Sequence, residues 1–299
     1  MGKAIEKYNG LTIGHAALGL RSGVAGSVKQ QVHDGDTINV TTVGNFGIRF
    51  LGVDAPEISG QLPGKTTFIG LANQQWEVFL SDPFAEELTP FAPPLDPGLL
   101  TYLENKIGSG TALNHYFHAT ASEDALELLV QNDLDILKQT KDTFQFFLVF
   151  AYEIMDRYGR LLCYINRNQP DENDPEPRPK SYNERLLEQG QVTPYFIWPN
   201  INPFRIATSL IDAVIDPNTA KDVADTDNAL NQARQWVKQN RTQKIGIFQQ
   251  NNPLKLEAFE LRFLSRRTPP NRWVIDLSKN DKFKYVRVYS IYHEAYQVK

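Results

Sequence analysis

VHDGDTINVTTVGNFGIRFLGVDAPE, residues 32–57, is the stretch on which the reading of the fold turns. Together with the residues just before it, it contains three short runs, VKQQV, TINVTTV and GIRFLGV, rich in β-branched and aromatic residues. Asp-Gly and Gly-Asn signals separate them, as turns separate strands. The pattern predicts a three-stranded antiparallel meander over residues 28–53. GNFG, Gly44 to Gly47, suits a hairpin turn that needs positive φ.

Working outward, residues 1–27 are Gly-rich and weakly patterned, and read as an irregular lead-in. GLRSGVAGS within them lacks the Gly-Lys-Ser/Thr ending of a phosphate loop and reads as a plain loop. Beyond Glu57, residues 58–118 carry many Pro and Gly together with Trp76, Phe79, Phe84 and Phe91. A structureless loop of that length is improbable. A packed insertion with short helices is therefore expected, one of them near Leu99 to Lys106. Ser122 is an N-cap candidate, with Leu126, Leu129, Val130 and Leu134 following at helical spacing.

FQFFLVFAYEIM and RLLCYIN read as two strands joined at Asp156 to Gly159. NQPDENDPEPRP, residues 168–179, reads as a charged surface loop. A short helix from Tyr182 to Gln189 ends at Gly190. Residues 200–225 form a second, less readable insertion, Asp227 to Gln239 a helix, and IGIF closes the core. The alternating segments FELRFL, RWVIDL and KYVRVYSIY read as a β-rich extension over 251–299.

The chain has 299 residues, and its 31 basic and 35 acidic side chains give a formal net charge of −4. Passive coating of nucleic acid is driven by neutralising phosphate and favours basic chains. An acidic chain argues against that class and leaves room for an enzyme with local cations and a carboxylate-held metal. The single Cys163 excludes an internal disulfide framework and a multi-cysteine zinc site. No apolar run reaches the roughly 18 residues of a membrane span, and the N-terminal residues lack an apolar signal core. No membrane association is expected, and no obligate protein partner is inferred.

Two acidic clusters carry the chemistry. Asp34-Gly35-Asp36-Thr37 lies at a strand start, and Asp54-Ala55-Pro56-Glu57 follows the strand that holds Arg49. Carboxylate oxygens are the ligands a hard cation such as Ca²⁺ prefers. Close approach of Asp36 and Asp54 would be repulsive without a cation between them. Alone, Asp-Gly-Asp-Thr is more often an Asx-capped turn and Asp-Ala-Pro-Glu a plain strand exit. Arg49 alone also suits a structural arginine, Arg160 a hairpin cap and Tyr195 a core aromatic.

The run VHDGDTINV…IRFLGVDAPE resembles the signature of the staphylococcal-nuclease family. DRYGRLLCYI resembles its second block, and LLEQGQVTPYFIWPN its third, in the same order. The 58–118 insertion, residues 200–225 and the 251–299 extension have no counterpart in the minimal family domain.

The resemblance implies an α+β fold with a mainly β core. That core is a five-stranded OB-fold barrel with packed helices, spanning about residues 28–250. It implies a Ca²⁺-dependent phosphodiesterase that hydrolyses DNA and RNA with little sequence preference and leaves 3′-phosphate ends. Asp36 and Asp54 then ligate Ca²⁺, helped by the backbone carbonyl of Ala55, and Asp34 orients those ligands. Glu57 activates the attacking water, while Arg49 and Arg160 grip the phosphate. Tyr158 contacts phosphate and Tyr195 lines the nucleotide pocket. Ile197 stands where the family has a second tyrosine, which puts base stacking in doubt, and Arg157 replaces a familiar lysine. The resemblance alone suggests an extracytoplasmic location.

Two alternatives stay open: a catalytically silent binding module, and a nuclease narrowed to short substrates by the insertion. RFLSRRTPP, from Arg262, echoes RFLGVDAPE with Arg267 in the Asp position. It reads as a strand and turn whose Arg266, Arg267 and Arg272 form a surface cationic patch. His115 and His118 lack further placed ligands and read as incidental rather than as a metal pair.

Overall fold

In the computed structural model, the described residues are 5–8, 11–21, 24–25, 27–41, 45–95, 97–156, 160–169, 179–195, 228–269, 272–276 and 282–286. The chain divides into two compact units, one formed by Met1–Val53 with Ala121–Val214, the other by Asp54–Thr120 with Ile215–Lys299.

The first unit is built on a closed five-stranded mixed β-barrel, compatible with an α+β OB-like fold. Strand Leu11–Leu18 pairs with Gln145–Met155, which pairs with Leu161–Arg167. Leu161–Arg167 runs parallel to Asn45–Phe50, which pairs with Thr37–Thr41. Thr37–Thr41 then pairs back to Leu11–Leu18 through Ala17↔Thr41 and Leu18↔Val40, closing the ring. The short strands Ile5–Tyr8 and Val32–Asp34 extend it at two places.

The core follows from alternation. Along Leu161–Arg167 every second residue, Leu161, Cys163, Ile165 and Arg167, is buried, as a period-two strand requires. Ile38, Val40, Ile48, Phe146 and Leu148 join them in the interior. Burial pushes the Cys163 thiol far up, so it is an inert core group. Arg167 is buried because Asp133 pairs with it at 3.2 Å, also takes Arg185 at 2.6 Å and accepts from Tyr182 Oη at 2.7 Å.

Asn183, in helix Tyr182–Glu188, fastens that helix to the barrel. Its amide donates to the carbonyls of Leu51 and Cys163 and its Oδ1 accepts from the Ile165 N–H. The helix closes on Gly190 with φ +68°, the left-handed cap the sequence anticipates.

Three expectations for this unit need correction. Residues 1–27 are not merely irregular, since they supply strand Leu11–Leu18 of the barrel. Its Gly and Ala content hides it locally, and its partners near residue 148 are distant in sequence. VKQQ forms one helical turn, Val28–Gln31, so the first strand of the meander begins at Val32. Ser122 does not cap a helix. It lies inside the helix Thr111–Ile136, buried, its hydroxyl donating to the Gln191 carbonyl.

The second unit contains the hairpin Ser59–Gln61/Phe68–Gly70 and the helices Gln74–Ser81 and Pro97–Glu104. These are the short helices expected of the 58–118 segment. Trp76 is wholly buried and donates its indole N–H to the Ile69 carbonyl at 2.9 Å. Helix Asn228–Gln243 matches the expected one, whereas IGIF contributes a 3₁₀ turn, Gly246–Phe248, with Ile247 buried.

The 251–299 segment is not β-rich throughout. FELRFL lies in the helix Ala258–Arg266, opened by a Glu257/Glu260 capping box and closed by Arg267 at φ +55°. RWVID does form a strand, Arg272–Asp276, paired antiparallel with Lys282–Val286; the rest of KYVRVYSIY, residues 287–292, lies outside the described residues. Asn45, Phe46 and Gly47 of the expected GNFG turn lie in strand Asn45–Phe50 instead, whereas Gly44, most of the 168–179 loop and the 200–225 insertion lie outside the described residues.

Candidate functional site

In the first unit the acidic motif forms a tight corner. Asp34 ends strand Val32–Asp34 and Thr37 begins the next. The Asp36 N–H donates to Asp34 Oδ1 at 3.3 Å, the Asx-type bond that such a sequence favours. Gly35 is required for packing, because a Cβ there would collide with Ser122 of the long helix.

Asp36 is 1 % exposed. Its Oδ2 pairs with Arg49 Nη1 at 2.7 Å, and its Oδ1 accepts from the Thr37 hydroxyl at 3.0 Å. The ladder sets Thr37 opposite Arg49, which brings the Arg49 side chain to the corner. Arg160 immediately precedes strand Leu161–Arg167, the parallel neighbour of Asn45–Phe50. Its Nη1 donates to Thr37 Oγ1 at 3.3 Å, while its Nε and backbone N–H donate to the Asp156 carboxylate at 2.8 and 3.0 Å.

Asp36 and Arg160 thus meet at the Thr37 hydroxyl, and Arg49 is linked to it through Asp36. Gly47 leaves room for the aliphatic part of Arg160. Tyr195 ends the strand Thr193–Tyr195 and is half-buried. Tyr158, Arg157 and Ile197 fall outside the described residues.

In the second unit Asp54 is fully buried and Ala55 nearly so. The Arg262 guanidinium clasps both Asp54 oxygens, at 2.9 and 2.6 Å, and its Nη1 also donates to Glu57 Oε1 at 2.5 Å. Such forked, charge-assisted bonds are the stronger kind.

The Glu57 N–H donates to His115 Nε2 at 2.8 Å, and His115 Nδ1 lies 3.1 Å from the Leu256 carbonyl. Those two partners fix a neutral ring protonated at Nδ1. Burial, the largest cause, brings the His115 pKa down to about 3, with the charges of His118 and Arg262 acting in the same direction.

His118 Nε2 meets the Asn252 carbonyl at 2.7 Å, and burial lowers its pKa as well. Asn114 donates to Asn252 Oδ1 and the Pro253 carbonyl and accepts from the Lys255 N–H. Residues Asn114, His115 and His118 therefore clamp the 252–256 segment that leads into helix Ala258–Arg266. Burial raises the Glu257 pKa to about 7, with Lys106 opposing and Glu260 and Asp54 assisting.

The sequence reading missed Arg262 and His115. RFLSRRTPP reads as a strand and turn, yet Arg262 lies in a helix, for which Phe259, Phe263 and Leu264 with the Glu257/Glu260 pair carry the signal. Nothing local to His115 marks its bond to Glu57, 58 residues away. Nor is Arg267 part of a surface cationic patch. It is 7 % exposed, lies over the Phe91 ring at 3.9 Å and donates to the Thr89 and Pro83 carbonyls. The Arg272 side chain is outside the described residues.

A scan against protein-family models and a search of curated proteins found no match to this sequence. Among the described residues, no three His, Cys, Asp or Glu side chains gather as a metal-binding group. No helix among them is long and apolar enough to cross a membrane. Asp36 in the first unit, and Asp54 with the Ala55 carbonyl in the second, each offer hard oxygens of the kind Ca²⁺ takes. The arrangement meets their charge with arginines: Arg49 for Asp36 and Arg262 for Asp54.

Proposed function

We propose that this chain is a Ca²⁺-dependent nuclease of the staphylococcal-nuclease type, hydrolysing DNA and RNA phosphodiesters with little sequence preference. The observation that carries the reading is the linked set in which Arg49 pairs with the buried Asp36, Asp36 accepts from the Thr37 hydroxyl, and Arg160 donates to that same hydroxyl. Two planar guanidiniums held by carboxylates are preorganised donors for the equatorial oxygens of a phosphodiester under attack.

In this reading Asp36 and Asp54, with the Ala55 carbonyl, hold the ion, and Asp34 steadies the Asp36 backbone. The ion would supply charge neutralisation between phosphate and carboxylates. Glu57 accepts the proton of the attacking water, its backbone fixed by His115. Tyr158 and Tyr195 belong to the substrate side.

A second reading, a catalytically silent binding module, is favoured by one observation: Asp54 gives both carboxylate oxygens to Arg262. Digestion of plasmid DNA, RNA and a dinucleotide in Ca²⁺ and in excess EDTA separates the readings. Cleavage that stops in EDTA, and that Glu57→Gln abolishes in a folded protein, supports the nuclease. Full activity in EDTA removes the ion, and no cleavage of any substrate leaves the silent module. Cleavage of the dinucleotide alone identifies a nuclease narrowed to short substrates.

A further inference from the structure

We infer that Arg262 is an internal counter-cation that competes with the divalent ion for Asp54, so that helix Ala258–Arg266 sets the ion affinity of the site. The inference rests on the metal reading proposed above and names a regulation of that site.

Three observations carry it. First, Arg262 fulfils what a cation would do between two acids, taking both oxygens of Asp54 and one of Glu57. Without a positive charge there, the two carboxylates would repel each other in a buried setting. Once the guanidinium has swung away, Asp54 and Glu57 present two carboxylates to the incoming ion, which favours a divalent cation over a monovalent one.

Second, the helix does not depend on Arg262 for its anchorage. Lys106 pairs with Glu260 at 2.6 Å, the Ser265 hydroxyl donates to the Gln61 carbonyl, and Arg267 is held by two carbonyls and the Phe91 ring. Phe259, Leu261, Phe263 and Leu264 are buried. The guanidinium can therefore leave Asp54 by rotating its own long side chain while the helix stays docked.

Third, Arg262 retains a path to water, its side chain being 20 % exposed while Asp54 is wholly covered. A displaced guanidinium can be solvated, which lowers the cost of exchange. Arg262 is thus a counter-ion and not a catalytic residue.

The test is calorimetric titration of Ca²⁺ into the full chain, comparing the unmodified protein with Arg262→Gln, Arg262→Lys and Asp54→Asn/Arg262→Gln. Removing this forked, charge-assisted contact should tighten Ca²⁺ binding about tenfold or more in Arg262→Gln. Arg262→Lys keeps the charge without the fork and should fall between. The double variant should lose the gain.

If Arg262→Gln unfolds in metal-free buffer, recovery of its circular dichroism on adding Ca²⁺ supports the inference. Failure to recover, with Arg262→Lys at unmodified affinity, overturns it. Equal Ca²⁺ affinity in the unmodified protein and a folded Arg262→Gln overturns the counter-cation role and leaves the metal reading standing. Absence of Ca²⁺ binding in both overturns the two together.

Discussion

Replacing Arg49 with methionine isolates the electrostatic role of the barrel corner. The substitution keeps much of the apolar stem and removes the guanidinium that sits 2.7 Å from Asp36 Oδ2. Asp36 is 1 % exposed, so its carboxylate loses a charged partner where water has little access. Breaking a buried pair from one side costs about 3–5 kcal/mol. The 13 % exposure of Arg49 admits some solvent to the gap and places the expectation near 3 kcal/mol. That is a sizeable part of the 5–15 kcal/mol typical of a folded domain. Adding Asp36→Asn removes the carboxylate charge while the amide oxygen still accepts from Thr37, so the double variant should regain at least half of the loss. Urea unfolding in metal-free buffer, fitted for both midpoint and slope, gives the values. A loss below about 1 kcal/mol for Arg49→Met, or a double variant no better than the single one, would refute a buried Asp36 dependent on Arg49.

Three further outcomes follow from the same geometry. His115 is neutral in the fold with a pKa near 3, below its ordinary 6.5, so the unfolded chain takes up a proton first as pH falls. Stability is fully present above about pH 6.5 and is lost between there and pH 3; His115→Gln should flatten that acid limb in a urea series. Glu257 behaves oppositely. Its folded pKa of about 7 exceeds the ordinary 4.5, so its contribution is present below pH 4.5 and lost as pH rises through 7. Glu257→Gln should therefore be more stable than the unmodified protein at pH 8 and equal to it near pH 4, and equal stability at pH 8 would refute the assignment. Gly35→Ala should cost about 1–3 kcal/mol through its clash with Ser122, measured as a lowered urea midpoint.

How much of this was legible beforehand can be read from particular residues. The alternation in TINVT and LLCYINR and the turn at Asp34–Thr37 are local patterns, and the corresponding strands stand where the sequence puts them. Helix Tyr182–Glu188 and its glycine cap are equally local. Leu11–Leu18 was invisible because a strand poor in β-formers is held by distant partners, not by propensity. Ser122 misled because a residue suited to capping can also sit inside a helix when its hydroxyl finds a carbonyl, here that of Gln191.

For the candidate site, the sequence by itself determined which residue types were on hand: the two acidic motifs, Arg49 and Arg160, each in a recognisable local run. Only the tertiary structure decided which charge answers which. It gave Asp36 to Arg49, drew Arg160 to Thr37, and set Arg262 against Asp54 across 208 positions of chain. The physical reason is that a buried carboxylate must meet a cation wherever packing brings one. Packing is fixed by the whole core, whereas a motif reports only its neighbours.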